Sequence, residues 1–168
     1  MIGNDVVDIL QSRRESNWQR KGLTEKIFTT DEQLLITQDP EPEMLFWLLW
    51  SMKEAAYKIY NRQTKIREYI PKKLASTISA KNTAYCTGKV ICQGNVYYTK
   101  TTITQDSLHT IAVTCPDQLK NVMEIEKKDI LKDDNAIPYL FNSTLNILQD
   151  VSVSHHGRFE KVVILDQK

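Results

Sequence analysis

One apolar stripe at helical spacing constrains the fold of this chain more than any other feature of its sequence. Seven apolar residues recur three and four positions apart, which predicts a long helix from about Glu43 to Asn61 with one buried face. Glu54 and Lys58 lie one turn apart on the other side of this helix, next to Lys53. A carboxylate and two amines on one helical face can hold a metal ion and a phosphate together, whereas the alternative, a surface Glu–Lys pair, stabilises a helix by only about 0.2–0.5 kcal/mol. The apolar stripe consists of Leu45, Leu48, Leu49, Met52, Ala55, Ala56 and Ile59.

The beginning of the sequence predicts a strand over Ile2–Ile9 that carries two carboxylates on opposite faces. Asp5 shares its face with apolar residues, an expensive place for a carboxylate without a partner. Gly3 allows the backbone to approach a ligand or a neighbouring element closely. Together with Glu54, Asp5 and Asp8 would supply the oxygen ligands that Mg²⁺ prefers, with phosphate oxygens and water completing the shell. The alternative is that both Asp residues are strand-end groups that face water.

Three motifs in this order resemble those of the 4'-phosphopantetheinyl transferases. Gly3-Asn4-Asp5 matches the family pattern G-x-D, and Trp50-x-x-Lys53-Glu54-Ala55-x-x-Lys58 matches [FW]-x-x-K-E-[AS]-x-x-K. The segment 151–159 resembles the family's strand that ends in Ser-x-Ser-His. The order, with G-x-D first and Ser-His last, is similar to that of the small holo-acyl-carrier-protein synthase type. Two lesser matches, at 27–32 and 137–140, resemble the Phe-Thr-x-x-Glu and Lys-Pro-Tyr segments of the same type.

The resemblance implies a reaction and roles for the metal-site residues. The 4'-phosphopantetheine group of coenzyme A would move to a serine of an apo acyl or peptidyl carrier protein, and 3',5'-ADP would leave. Mg²⁺ held by Asp5 and Glu54 would bridge the pyrophosphate oxygens, with Asp8 as a third ligand, directly or through water. Glu54, or a metal-bound water that it polarises, would take the serine proton.

The remaining site residues would contact the substrates. Lys58 would reach the pyrophosphate and offset the charge on the leaving oxygen, and Lys53 would orient Glu54 or the incoming hydroxyl. Ser154 and His155 would bind a coenzyme A phosphate, although a histidine in a strand is often structural. His156 and Arg158 are expected at the rim.

The segments between these motifs predict the fold. Residues rich in Thr, Val, Ile and Tyr predict an antiparallel meander at about 74–115, and a short helix is expected at 143–149 before a final hairpin. With the resemblance, this predicts an α+β fold in which an antiparallel sheet wraps around a long central helix, in one domain over residues 1–168. The segment 119–134 is expected to be partly helical. The meander strands are expected at Leu74–Ala80, Ala84–Gln93, Val96–Thr104 and Leu108–Cys115, and the hairpin strands at Val151–Ser154 and Phe159–Leu165.

The resemblance also implies partners. In the small synthases the active sites lie between the subunits of a homotrimer, whereas in two-lobed relatives one chain supplies both halves. One copy of each motif here predicts a homo-oligomer, with a trimer favoured and His155 reaching into a neighbouring subunit. Carrier proteins present an acidic helix beside the modified serine, so basic residues should surround the site, the alternative being a scattered solvated surface. The candidates are Arg13, Arg14, Arg20, Lys21, Lys26, Arg62, Lys65, Arg67, Lys72 and Lys73.

Composition narrows the class of protein. A net charge of +1 in 168 residues argues against a general nucleic-acid coat, and the sequence shows neither a signal peptide nor an apolar run long enough to span a membrane. Cys86, Cys92 and Cys115 lack metal-ligand spacing and are expected to be reduced and buried in a cytoplasmic protein. Two alternatives remain. One is a carrier-binding or regulatory relative without turnover, and the other is a single-strand nucleic-acid binder using Tyr97 and Tyr98.

Overall fold

The computed structural model describes residues 1–142 and 146–166. Its helices are α1 (Ile9–Glu15), α2 (Leu23–Ile27), α3 (Thr30–Gln38) and α4 (Pro42–Thr64). Its strands are β1 (Ile2–Asp8), β2 (Ala75–Lys81), β3 (Tyr85–Cys92), β4 (Asn95–Ile103), β5 (Ser107–Val113), β6 (Val122–Glu124), β7 (Leu131–Lys132), β8 (Pro138–Asn142), β9 (Ile147–His156) and β10 (Phe159–Leu165).

Two antiparallel sheets form within the described residues. The first has the strand order β1-β5-β4-β3-β2, and the second has the order β6-β10-β9-β8-β7. The first sheet packs against α4, which confirms the predicted α+β fold with a long helix at its centre. None of the described helices is both long and apolar enough to cross a membrane.

Helix α4 is buried along most of its length because its apolar stripe, from Leu45 to Ile59, continues through about four turns. Met52, Ala55, Ala56 and Ile59 are completely inaccessible to solvent. Proline stands at the start of the helix, where a missing N–H costs nothing, and Lys65 ends it in a left-handed conformation with φ of 60°. The predicted helix is therefore confirmed and runs three residues further than expected.

Strand β1 lies between α4 and the second sheet, and its two faces serve different neighbours. On one face Gly3 touches α4 so closely that a Cβ there would overlap the carbonyl oxygen of Ala55. On the other face Asn4 hydrogen-bonds to Ser152 and Ser154 of β9. The alternation expected from the sequence thus places Asp5 on the helix side and Asp8 on the side of the second sheet.

The predicted meander is confirmed, with each strand within two residues of its expected bounds. The short helix predicted at 143–149 is wrong over 147–149. Ile147, Leu148 and Gln149 are the first residues of β9 and pair with β8. Residues 143–145 of that prediction lie outside the described residues. The segment 119–134, expected to be partly helical, is helical only at 119–121, where the 3-10 helix Pro116–Asn121 ends, and the short strands β6 and β7 follow.

The cysteines differ from one another in environment. Cys86 and Cys92 are buried free thiols, as predicted, and burial raises the pKa of Cys86 to about 11. Cys115 is exposed instead, because it caps the 3-10 turn that begins at Pro116.

Replacing Gly3 with alanine is expected to destabilise the protein by about 1–3 kcal/mol, because β1 and α4 would have to separate to admit the methyl group. Urea denaturation measures this free energy of unfolding. The matched control is Thr102→Ala, an exposed position on β4 that should change stability by less than about 0.5 kcal/mol. Equal stabilities for the two variants would contradict the close packing of β1 on α4.

Candidate active site

Asp5, Glu54 and His155 line one cavity of about 510 Å³. They come from β1, α4 and β9, three elements that are distant in sequence. One face of α4 forms a wall, since residues 47, 50 and 54 are three and four positions apart. The cavity therefore follows α4 for about two turns, or roughly 10 Å, from Glu54 to Trp47. Its apolar lining includes Leu23, Ile27, Phe46, Trp47, Trp50 and Tyr69.

Two partly buried carboxyls and one ammonium group interact at the acidic end of the cavity. Burial raises the pKa of Asp5, and the charge of Lys58 and the hydroxyl of Ser51 oppose that rise. Burial, followed by repulsion from Asp5, raises the pKa of Glu54 to about 7, with Lys58 again opposing. Burial lowers the pKa of Lys58, and Asp5 and Glu54 oppose this change. One ammonium group thus faces two acids, which leaves an excess of negative charge when both are ionised.

Lys58 also connects three elements of the fold. Its Nζ donates to the backbone carbonyl of Asn4 at 2.5 Å and to that of Val153 at 3.0 Å. The side chain of this α4 residue therefore reaches both β1 and β9. These bonds fix the ammonium group beside Asp5 and close to the strand that carries His155.

The donor set of this cavity fits a divalent cation. Asp5 and Glu54 supply carboxylate oxygens, and a cation between them would relieve the repulsion that raises the pKa of Glu54. No group of three or more His, Cys, Asp or Glu suited to a metal occurs in residues 1–142 and 146–166. The remaining ligands of an ion held here would be water and substrate phosphate, as is usual for Mg²⁺.

Lys53 does not line the cavity with Glu54. It lies 1% exposed, with its Nζ 2.7 Å from Oε2 of Glu32, and it donates to the carbonyls of Pro71 and Leu74. Glu32 in turn accepts from the backbone N–H of Ser76 at 2.7 Å. The structure therefore places Lys53 in a buried ion pair that joins α3, α4 and the start of β2, instead of beside Glu54 as predicted.

Asp8 is also directed away from Asp5 and Glu54. Its two oxygens accept from the guanidinium of Arg158 at 2.8 and 2.9 Å, and Oδ1 also caps α1 by accepting from the N–H of Gln11. Hydrogen bonding to Arg158 holds the pKa of Asp8 well below its ordinary value. Asp8 thus joins β1 to the β9–β10 hairpin and does not add a third carboxylate to the cavity.

The two residues predicted to bind coenzyme A point in different directions. His155 is exposed at the cavity, whereas Ser154 is 5% exposed and accepts a hydrogen bond from Nδ2 of Asn4 at 2.9 Å. His156 also lines the cavity, and its Nδ1 accepts from the backbone N–H of Asp8. His155 lines the cavity of its own chain together with Asp5 and Glu54.

Sequence reasoning missed Asn4 and Glu32 as organising residues. Asn4 occupies the variable position of the G-x-D motif, and neither spacing nor residue type indicates that it is completely buried. For Glu32 a signal existed, because Thr29 and Glu32 form a reciprocal capping box at the start of α3. His109 lies 3.3 Å from the Asn4 amide, and burial lowers its pKa to about 4.

A comparison with protein families agrees with this geometry. The sequence model of the 4'-phosphopantetheinyl transferase superfamily matches residues 1–114, about two thirds of the chain. The chain therefore belongs to the 4'-phosphopantetheinyl transferase superfamily. Membership of this superfamily supports a transferase activity that moves phosphopantetheine from coenzyme A to a carrier protein. A search of the curated proteins finds no match.

The raised pKa of Glu54 predicts how stability depends on pH in metal-free buffer. Between pH 4.5 and about 7 the folded state retains a proton on Glu54 that the unfolded state has lost, so stability should fall as pH rises through this range. Glu54→Gln should abolish about 1–3 kcal/mol of this decline. Urea denaturation of both proteins at pH 5 and pH 8 measures the difference. Parallel pH profiles for the two proteins would contradict a buried carboxyl at this position.

The buried pair of Lys53 and Glu32 predicts a loss of stability that a second substitution partly repairs. Lys53→Met should destabilise the protein by about 3–5 kcal/mol, because it leaves the Glu32 carboxylate buried without a counter-charge. Lys53→Met/Glu32→Gln should be more stable than Lys53→Met alone. Below its unfolding temperature, the double variant should keep its transfer rate within about threefold of the wild type. A stable but inactive double variant would return Lys53 to a catalytic role.

Proposed function

We propose that the protein is an Mg²⁺-dependent phosphopantetheinyl transferase that modifies a serine of an apo acyl or peptidyl carrier protein. The single observation that carries this proposal is the shared cavity of Asp5, Glu54 and His155, with Lys58 adjoining the two acids. The family assignment supplies the reaction class. The motif order favours the holo-acyl-carrier-protein synthase type, acting in the cytoplasm in fatty-acid synthesis or a related pathway.

In this proposal Asp5 and Glu54 hold the metal ion at the acidic end of the cavity. The ion would act as a Lewis acid on the pyrophosphate of coenzyme A and would offset its charge. Asp8 is not part of this set, because its oxygens are already engaged by Arg158 and the start of α1. Two protein carboxylates with substrate phosphate and water suit Mg²⁺, which seldom gives up all its water ligands.

The side chains of the cavity divide the remaining tasks. Glu54, or a metal-bound water that it polarises, would accept the proton of the attacking serine. The serine oxygen then bonds to the phosphorus that carries pantetheine, while the bond to the bridging oxygen breaks and its electron pair leaves with 3',5'-ADP. Lys58 provides positive charge next to these groups, and His155 binds a phosphate of coenzyme A.

The carrier protein would approach the face formed by α1, α2 and the segment after α4. Ser12, Glu15, Leu23 and Tyr69, which line the cavity, belong to these regions. Arg62 is removed from the basic candidates, because it bonds to Asp150 and to the carbonyls of β8 and β9. The exposed candidates that remain nearby are Arg14, Arg20, Lys21, Lys26, Arg67, Lys72 and Lys73. Binding of an acidic helix by these residues should weaken as salt rises.

Mass spectrometry of an apo carrier protein incubated with coenzyme A, Mg²⁺ and the enzyme tests the proposal. A mass gain of one phosphopantetheine group is expected, and Asp5→Asn or Glu54→Gln should reduce its rate by about 10²-fold or more. Chelation of the metal by EDTA should also stop transfer. Glu126→Gln, which alters an exposed carboxyl in the loop after β6, is the matched control and should retain the wild-type rate. Undiminished transfer in EDTA or in both cavity variants would contradict the assigned site.

One observation favours a second candidate, a carrier-binding relative without turnover. The engagement of Asp8 by Arg158 leaves two carboxylates in the cavity rather than the three expected from the sequence. This candidate predicts salt-sensitive binding of the carrier protein with no gain in its mass, for every carrier tried.

A further inference from the structure

The residues of β1 that face the second sheet have no place in the transfer chemistry, yet Asn4 is completely buried there. Its Nδ2 donates to Ser154 Oγ at 2.9 Å and to the carbonyl of Lys161 at 3.2 Å. Its Oδ1 accepts from Ser152 Oγ at 2.7 Å, and its backbone N–H donates to the same hydroxyl at 2.8 Å. The Asn4 side chain therefore hydrogen-bonds to both β9 and β10.

Asp8 makes a second attachment at the tip of the same hairpin. Besides its two bonds to the Arg158 guanidinium, it accepts from the backbone N–H of Arg158 at 3.0 Å. Its own backbone N–H donates to His156. The turn lies so close that a Cβ at Gly157 would be 2.5 Å from Asp8 Oδ2.

These two attachments enclose His155. Ser154 on one side is held by Asn4, and His156 on the other is held by Asp8, while Lys58 bonds to the carbonyl of Val153. Because its neighbours on both sides are fixed to β1, His155 has little freedom to leave the cavity that it lines with Asp5 and Glu54.

We propose that Asn4 and Asp8 are positioning residues that fix β9 on β1, so that His155 completes the coenzyme A site of its own chain. This inference rests on the proposed function for the role of His155. Asp5, on the helix side of β1, belongs to the metal set, whereas Asn4 and Asp8, on its other side, determine where the histidine stands.

A double-mutant cycle on coenzyme A affinity tests the positioning role. His155→Ala should weaken coenzyme A binding about tenfold, and Ser152→Ala, which removes two bonds of Asn4, about fivefold. If Ser152 acts only through the place of His155, adding Ser152→Ala to His155→Ala should cause no further loss. Isothermal titration with coenzyme A measures these affinities, and Asp8→Asn should behave like Ser152→Ala. Effects that multiply, or an unchanged affinity in both Ser152→Ala and Asp8→Asn, would overturn the proposal.

The matched control is Tyr97→Phe, which removes another hydroxyl of a fully buried side chain, 2.7 Å from the Gln63 side chain and outside the β9–β10 hairpin. It should lower stability without changing coenzyme A affinity. A comparable loss of affinity in Tyr97→Phe would show that the Ser152 effect is general destabilisation and would overturn the positioning role.

Mixing two impaired variants tests whether the site closes within one chain. Glu54→Gln and His155→Ala should give, when mixed, only the sum of their separate transfer rates. Recovery above that sum would mean that the histidine of one subunit serves the acids of another, and would overturn the proposal. A wild type that binds coenzyme A but transfers nothing would refute the proposed function alone, because the binding cycle still decides the positioning role. A wild type that binds no coenzyme A would refute both.

Discussion

The single ammonium group of Lys58, held against two carboxyls in a largely buried site, is the interaction on which the rest of this structure depends. Burial alone would favour neutral forms of all three groups. The charge of Lys58 opposes the rise in the pKa values of Asp5 and Glu54, and the two acids oppose the fall in the pKa of Lys58, whereas Asp5 raises the pKa of Glu54 further. With both acids ionised the set carries excess negative charge. A divalent cation would offset this excess negative charge and could bind a substrate diphosphate at the same time. This gives a reason for placing buried charged groups, which are costly to desolvate, at a cavity.

Strand β1 brings the groups that interact with Lys58 together, because it packs against α4 on one face and against the β9–β10 hairpin on the other. Gly3 lets the strand lie directly on α4, which brings Asp5 to the level of Glu54 and Lys58. The other face of the same strand carries Asn4 and Asp8, which bind the β9–β10 hairpin. Because successive side chains of a strand point to opposite faces, β1 can present Asp5 to α4 and hydrogen-bond to the β9–β10 hairpin through Asn4 and Asp8.

The residues that the sequence located well are those governed by local periodicity. The apolar stripe of α4 predicted that Glu54 and Lys58 lie one turn apart on the same face. The alternation of β1 predicted that Asp5 and Asp8 lie on opposite faces, and the motifs indicated that Asp5 and Glu54 lie in one site. The roles of Lys53, Asp8 and Ser154 could not be obtained in this way. Their partners, Glu32, Arg158 and Asn4, are 21, 150 and 150 positions away, and only the folded chain brings such pairs together. A charged residue in or near a motif can act in the reaction or stabilise the fold. Which of the two it does depends on where its oppositely charged partner lies in the folded chain.

The claim that Asp5 and Glu54 share one ion beside Lys58 can be examined directly by anomalous diffraction from crystals of the protein with Mn²⁺ and coenzyme A. The account predicts one strong peak at about 2.0–2.5 Å from a carboxylate oxygen of each of the two residues, with pyrophosphate oxygens on the same ion. An ion bound through coenzyme A alone, or through only one of these carboxylates, would contradict it.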